Sequence, residues 1–190
     1  MRDGWDAQIV QALLNGANQH PAELAWFVDD ALTFTPKRVL EIGSEAGGSL
    51  WLWCQIAADD AQLLAVDNDS QPWLFRGLKE RYPWPSRDGQ TLRLVEADSR
   101  SDEAREAVAD FFDGPIDLLF IDGGHFAEIV NSDWDTFSPL VREGGIVALH
   151  DVASGPTLGV TALWERLRGE YRTAERVEPE STQGIGVVYV

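Results

Sequence analysis

The sequence contains one cysteine, Cys54, and one methionine, Met1. A single thiol cannot close a disulfide within the chain, so stability must come from a packed core, and a reducing cytoplasm is the expected location. Lysine is nearly missing. Lys37 and Lys79 are the only two, and arginine supplies the rest of the 15 basic residues. Against these stand 32 acidic residues, for a net charge of −17. A field of that sign repels nucleic-acid phosphates and anionic lipid, which argues against both as partners, while it tolerates cationic ligands. No apolar run approaches the roughly 20 residues that cross a bilayer. The first residues, Met1 to Asp6, lack the basic and apolar regions of a signal peptide. There is no GK[ST] phosphate loop, no GxGxxG, no internal repeat and no low-complexity tract.

The remainder is globular in usage, 44% hydrophobic and 25% charged over 190 residues, a length for about one domain. Positions 1–190 are expected to form that domain, with residues 1–35 as N-terminal helices and 36–190 as an α/β core. Apolar runs of strand length at Arg38–Ile42, Gln62–Val66, Leu92–Glu96, Ile116–Ile121 and Ile146–Leu149 alternate with helical periodicity. The helices fall at Ser49–Ala58, Pro72–Tyr82, Ser101–Phe112, Asp133–Val141 and Leu158–Gly169. Two helices, Ala7–Leu14 and Pro21–Leu32, precede them, broken at Gly16, with Pro21 in a first turn. Thr173–Val177 and Gly186–Val190 close the chain as a hairpin. Alternation of this kind predicts a Rossmann-like, doubly wound, mostly parallel seven-stranded sheet with an antiparallel strand in its C-terminal hairpin.

In such sheets ligands bind at the carboxyl ends of the strands. The first strand runs into Glu41-Ile42-Gly43-Ser44-Glu45-Ala46-Gly47-Gly48-Ser49. Its glycines let a ligand approach the backbone, and the helix that Gly47-Gly48-Ser49 opens can offer free N–H groups; a tight strand–helix turn accounts for the same residues. The second strand ends at Asp67-Asn68-Asp69, where an acid can accept from ribose hydroxyls or simply shape a turn. Asp98-Ser99, after the third, suits an adenine amino group or a helix cap. Together these ends describe an adenosine-containing ligand. Asp122-Gly123-Gly124-His125 follows the fourth strand and His150-Asp151 ends the fifth. Asp122, His150 and Asp151 can offer two carboxylates and an imidazole to one divalent cation, Mg²⁺ or a softer metal, or bond to one another and to backbone. His125, three residues past Asp122, can overhang the same pocket as a base. His20, before a proline, reads as surface. Among eight tryptophans, Trp51 and Trp53 read as core, while Trp73 and Trp134 lie close enough behind Asp67 and His125 to line a pocket.

Glu41-Ile42-Gly43-Ser44 with Gly47-Gly48-Ser49, the acid Asp67, and the run from Asp122 through Asp133 and Gly144-Gly145 to His150-Asp151 resemble the class I S-adenosylmethionine-dependent methyltransferases. The likeness is strongest to the cation-dependent O-methyltransferases, the cephalosporin-hydroxylase-like and macrolide-sugar group, and covers about Val39 to the C-terminus. It implies that adenosylmethionine is held by Glu41, Gly43, Ser44, Gly47, Ser49, Asp67, Asn68, Asp98, Ser99 and Asp122. A divalent metal would sit on Asp122, His150 and Asp151, with His125 as catalytic base. Two departures are visible: His150 stands where relatives often carry Asp or Glu, and Ala127 where an aromatic residue is common. The partner implied is a small-molecule acceptor, with a homodimer also open. Two functions follow: methylation of a hydroxyl on a small molecule, or an adenosylmethionine-binding protein that transfers nothing and acts as a sensor or partner.

Overall fold

The central strands of the core alternate their side chains between two faces, and both faces are apolar. On β1 (Arg38–Ile42), Val39 points to one side while Leu40 and Ile42 point to the other. Leu63 against Leu64 on β2 (Gln62–Asp67) and Leu118 against Leu119 on β4 (Ile116–Ile121) divide the same way. Sheets of this kind must be covered on both sides. The computed structural model describes residues 4–70, 72–155 and 158–190. The side chain of Trp73 lies outside the described set, and so does the expectation that it lines a pocket. Among the described residues the strands form one seven-stranded sheet in the order β3-β2-β1-β4-β5-β7-β6, where β3 is Thr91–Glu96, β5 Val141–His150, β6 Arg172–Arg176 and β7 Ile185–Tyr189. β1 to β5 pair in parallel, and β7 runs antiparallel between β5 and β6.

One face is covered by α1 (Asp6–Leu14), α2 (Pro21–Trp26), α3 (Gly48–Ile56) and α4 (Pro72–Glu80), with Leu24, Phe27 and Trp53 among its fully buried side chains. Phe27, Trp53 and Phe120 meet there with ring centroids 4.8–6.1 Å apart, a spacing that adds edge-to-face attraction to the area buried. The other face carries α5 (Asp102–Phe111), α6 (Ala127–Phe137) and α7 (Gly159–Glu170), through Val108, Val130, Phe137 and Leu163. Trp53 is core as expected, whereas Trp51 is only half-buried. Trp134 packs in the core against Tyr171, with 5.6 Å between rings, rather than lining a pocket.

Three segments differ from the sequence reading. The second N-terminal helix ends at Trp26 and continues as a π-helical turn, Phe27–Ala31. α6 begins at Ala127, six residues before the expected Asp133, because Phe126 caps it with no side-chain hydrogen bond and so leaves no start signal. It gives way to a 3₁₀ turn at Ser138–Leu140, and Val141 already belongs to β5. Gly144-Gly145 is not a turn before that strand but an irregularity within it: the β4–β5 register shifts between Ile116 and Leu118, and Gly144 takes φ +74°.

Order 3-2-1-4-5 reverses direction between β1 and β4. There the loops after these two strands part to opposite faces and open a crevice. The ends of β1, β2, β3, β4 and β5 therefore surround one site.

Candidate functional site

The loop after β1 is held by protein groups alone. Ser44 and Glu45 donate their N–H groups to Asp67 Oδ2, each at 2.9 Å, and Asp69 N–H donates to Oδ1 at 2.8 Å. Gly43 sits at φ +85°, and a Cβ there would lie 2.2 Å from the Asp122 carbonyl oxygen. Gly47 has the same φ, and its Cβ would lie 2.7 Å from Leu78. The close approach that requires glycine at both positions is thus made by the protein itself, with no ligand needed to explain it. Glu41 is fully buried. Its carboxylate accepts from the Ser44 hydroxyl at 2.7 Å and from the Trp53 indole at 2.6 Å, and burial pushes its pKa up to about 7. Neither Glu41 nor Gly47 lines either cleft at the strand ends, contrary to the expectation that they touch the cofactor.

Those clefts are two and they share a wall. One, of about 370 Å³, runs past Gly43, Asp67, Asn68, Asp98 and Ser99 to Phe126. The other, of about 340 Å³, runs past Ser44, Ser49, His150 and Asp151. Glu45, Ser70 and the segment Asp122-Gly123-Gly124-His125 border both. The expected adenosine residues after β2 and β3 are gathered on the first. Asp98 is there bound on both oxygens by Arg100, at 2.9 and 2.7 Å, and the guanidinium holds its carboxyl down to about 2. Beneath Ser99 lies the buried Asp133, whose pKa burial pushes up to about 6.

The second cleft holds the acid–imidazole cluster. Asp122 ends β4, and His150 and Asp151 end the neighbouring β5, so the parallel pairing brings them together. His150 Nδ1 lies 3.0 Å from Asp122 Oδ1 and 3.3 Å from Asp151 Oδ2. Burial opposes a charge on that ring, but the two carboxylates outweigh it and raise its pKa to about 10. His125 Nε2 lies 2.8 Å from Asp151 Oδ2. This contact raises the His125 pKa, against a smaller opposing effect of burial. Burial alone would raise the Asp151 carboxyl, yet its bonds to His125 and His150 hold it well below the carboxylate range. Asp122, His125 and Asp151 present ligand atoms that all lie within 4.8 Å of one another. Two carboxylate oxygens suit a divalent cation, with an imidazole beside them that can exchange a proton. His150, expected as a ligand, lines the second cleft with Nδ1 turned toward both carboxylates, and His125 joins them there.

Backbone strain marks the same place. Among the described residues, the non-glycine positions with positive φ are Glu45 at +41°, Asp69 at +52° and Asp151 at +63°. Glu45 and Asp151 line the clefts, and Asp69 lies between two residues that do. Such angles persist only where the surroundings enforce them, and they gather at functional sites. Sequence reasoning missed Glu45, Arg100, Phe126 and Gln19. Phe126 leaves 68% of its surface exposed beside the first cleft, an apolar ring with room for a ligand. Gln19, from the loop between α1 and α2, donates Nε2 to Asp122 Oδ2 at 2.5 Å across 103 positions of sequence. His20, read as surface, caps α2 by accepting the Ala22 N–H at 3.3 Å.

A methyltransferase-domain family matches residues 40–152. An uncharacterized protein of Sinorhizobium fredii is 28% identical over 138 residues, 70% of this chain; the chain spans 15% of that relative's length. The O-methyltransferase TomG from Streptomyces achromogenes, in complex with SAM, superposes with a TM-score of 0.64 at 16% identity, covering 100% of this chain and 91% of that one. An SAH-bound methyltransferase from Podospora anserina gives 0.64 at 16% identity, with 100% and 89% covered. The MycE methyltransferase of the mycinamycin pathway, in complex with Mg, SAH and mycinamycin VI, gives 0.63 at 17% identity, with 98% and 53% covered.

Proposed function

The chain belongs to this methyltransferase-domain family, and from that membership we propose that it transfers the methyl group of S-adenosylmethionine to a hydroxyl oxygen of a small molecule, assisted by a divalent cation. The observation that carries this reading is the convergence of Asp122, His125 and Asp151 where the two clefts meet. The first cleft supports an adenosine, with Asp67, Asn68, Ser99 and Phe126 along its wall. Of the expected cofactor residues, Gly43, Ser44, Ser49, Asp67, Asn68, Asp98, Ser99 and Asp122 border the clefts and keep that assignment, while Glu41 and Gly47 support the loop from behind. The solved structures of like fold that carry SAM or SAH, one with Mg, agree with this reading.

Asp122 and Asp151 would hold the cation, with His125 at its edge. A bound cation lowers the pKa of a hydroxyl and fixes its direction. Asp151 also orients His125. A proton on Nε2 shared with Asp151 Oδ2 leaves Nδ1 as the nitrogen that takes the acceptor's proton, while the oxygen bonds to the methyl carbon and the sulfonium departs as a neutral thioether. Ordering both reactants in adjoining clefts supplies the alignment that in-line transfer needs, worth up to ~7–11 kcal/mol in ideal systems. A binding protein without transfer would have no use for the oriented His125–Asp151 pair.

The test is release of adenosylhomocysteine from adenosylmethionine in the presence of catechol and sugar acceptors, with Mg²⁺ or Mn²⁺ and with chelator. Turnover that chelator abolishes and metal restores is expected. Turnover indifferent to chelator would remove the cation from the reading, and tight adenosylmethionine binding with no turnover on any acceptor would favour the sensor.

A further inference from the structure

Gln19 is the contact between the N-terminal arm and the acid–imidazole cluster. It lies in the α1–α2 loop and is 4% exposed. It lines the same cleft as His125, His150 and Asp151. Its amide orientation follows from its partner: a carboxylate oxygen at 2.5 Å accepts only from the nitrogen, so Nε2 faces Asp122 Oδ2. Oε1 is then buried with no hydrogen-bond partner among the described residues. Leaving a carbonyl oxygen in that state is unfavourable, and the arrangement persists because the loop has been packed to hold it. Gly48, at the start of α3, has no side chain, and a Cβ there would lie 2.0 Å from the Ala17 nitrogen and 2.6 Å from the Ala12 carbonyl oxygen. On the far side, Glu23 of α2 is fully buried and accepts the N–H groups of Glu178 at 2.9 Å and Gly184 at 3.2 Å, which ties the arm to the β6–β7 loop. The arm is therefore held at two places, and Gln19 is the residue it delivers.

We infer that Gln19 is a positioning residue of the cation site: through Nε2 it fixes the Asp122 carboxylate in the orientation that a divalent ion requires. Asp122 has each of its two oxygens held by a separate group, Oδ1 by His150 Nδ1 and Oδ2 by Gln19 Nε2. A carboxylate held through both oxygens is restrained from rotating, and Asp122 lines the cleft. Donors that restrain a ligating carboxylate from behind typically govern metal affinity by 10–100-fold. The inference rests on the cation-dependent reading of the site and adds to it a contribution from outside the α/β core.

The experiment is Mn²⁺ titration of the intact chain by calorimetry, for the wild type, Gln19→Met and Gln19→Leu. Both substitutions keep bulk and remove the donor. Adenosylhomocysteine affinity and the melting temperature are measured alongside. The expected result is a 10–100-fold weaker Mn²⁺ Kd in both variants with a much smaller loss of adenosylhomocysteine affinity, since Asp122 is one of several groups along the cofactor's cleft. Unchanged or tighter Mn²⁺ binding in the variants overturns the role of Gln19 while leaving the cation site standing. A wild type that binds no Mn²⁺ overturns both. Should one variant fold poorly, as its melting curve shows, the other decides. Parallel losses of Mn²⁺ and adenosylhomocysteine affinity identify Gln19 as structural support only and sink the inference.

Discussion

Glu41 is a fully buried carboxyl whose ordinary charge burial disfavours, although the Ser44 hydroxyl and the Trp53 indole donate to it. Burial raises its pKa from 4.5 to about 7. Between these values the unfolded chain has released the proton and the folded chain retains it, so the contribution of Glu41 to stability is complete below about pH 4.5 and is lost as pH rises through about 7. A gap of that size corresponds to about 3 kcal/mol at most. Asp133, raised to about 6, acts in the same direction. In Glu41→Gln the amide oxygen can still accept from Trp53 while its nitrogen faces the Ser44 hydroxyl. The expected outcome is a melting temperature that falls from pH 5 to pH 8 in the wild type and falls clearly less in the variant; parallel curves would show that Glu41 does not titrate in that range. At the cluster, His125→Ala should keep adenosylhomocysteine and Mn²⁺ within an order of magnitude while turnover drops by ~10²–10⁴, the usual contribution of a general base; single-turnover kinetics with saturating ligands separates the two. These cluster residues are legible in the sequence because Asp122 and His150-Asp151 directly follow apolar runs, His125 lies three residues beyond Asp122, and strand ends converge in a parallel sheet. Gln19 is not legible, since nothing local to Asn18-Gln19-His20 announces a partner 103 positions away. Glu41 misleads for a related reason. An acid before a glycine turn looks like a ligand contact, and only the fold reveals that Trp53 lies beneath it.

Glycines without a side chain let elements meet at backbone distance, and two such meetings build the walls of the site. Gly48 receives the α1–α2 loop, and Gly159, at the start of α7, receives the first turn of α6, where a Cβ would lie 2.2 Å from Ala127 Cα. Neither has the positive φ that would single out glycine by conformation, so space alone decides. Gly48→Ala should therefore destabilise by ~1–3 kcal/mol, the range for overpacked positions, and displace the arm that carries Gln19. Hydrogen exchange at residues 12–19 reports this directly: faster exchange there than in the central strands is expected, and an unchanged pattern with unchanged melting would mean that the loop has slack to move. Strand positions are readable in advance because short apolar runs end in Asp or Gly, as at Asp67, Asp122 and Gly43. Helix starts are readable where a side chain caps them, as Ser101 does for α5 by accepting the Ala104 N–H at 3.1 Å, or where a glycine turn precedes them, as at Gly47 before α3. α6 has no such cap and β5 hides a bulge behind Gly144-Gly145, so both begin earlier than periodicity suggests.

Across the whole molecule, 32 acidic groups face 15 basic ones. Several ion pairs among the described residues are exposed on both sides, such as Lys37–Asp60 and Arg168–Glu165, and pairs of that kind contribute about 0–1 kcal/mol each. The surplus of negative charge repels itself over longer distances, which opposes the compact state. Salt screens both effects, with a Debye length of about 10 Å at 0.1 M. Like-charge pairs outnumber opposite-charge pairs at this composition, so the melting temperature should rise with NaCl from low to moderate concentration; a fall would mean that the ion pairs outweigh the net charge. A divalent cation adds a second, separable effect. Bound at Asp122 and Asp151 it stabilises the folded chain by RT ln(1 + [L]/Kd), which at a hundredfold excess over Kd is about 2.7 kcal/mol. At matched ionic strength, MnCl₂ should therefore raise the melting temperature beyond NaCl, and that excess belongs to the site. Asp151→Asn keeps the shape of the side chain but removes the charge that faces His125 and His150 at 2.8 and 3.3 Å. The variant should lose the Mn²⁺ excess and keep the NaCl slope, because one charge in a surplus of seventeen barely alters the long-range field. If the excess survives in the variant, the ion binds elsewhere on the acidic surface and the strand-end cluster is held together by its own hydrogen bonds.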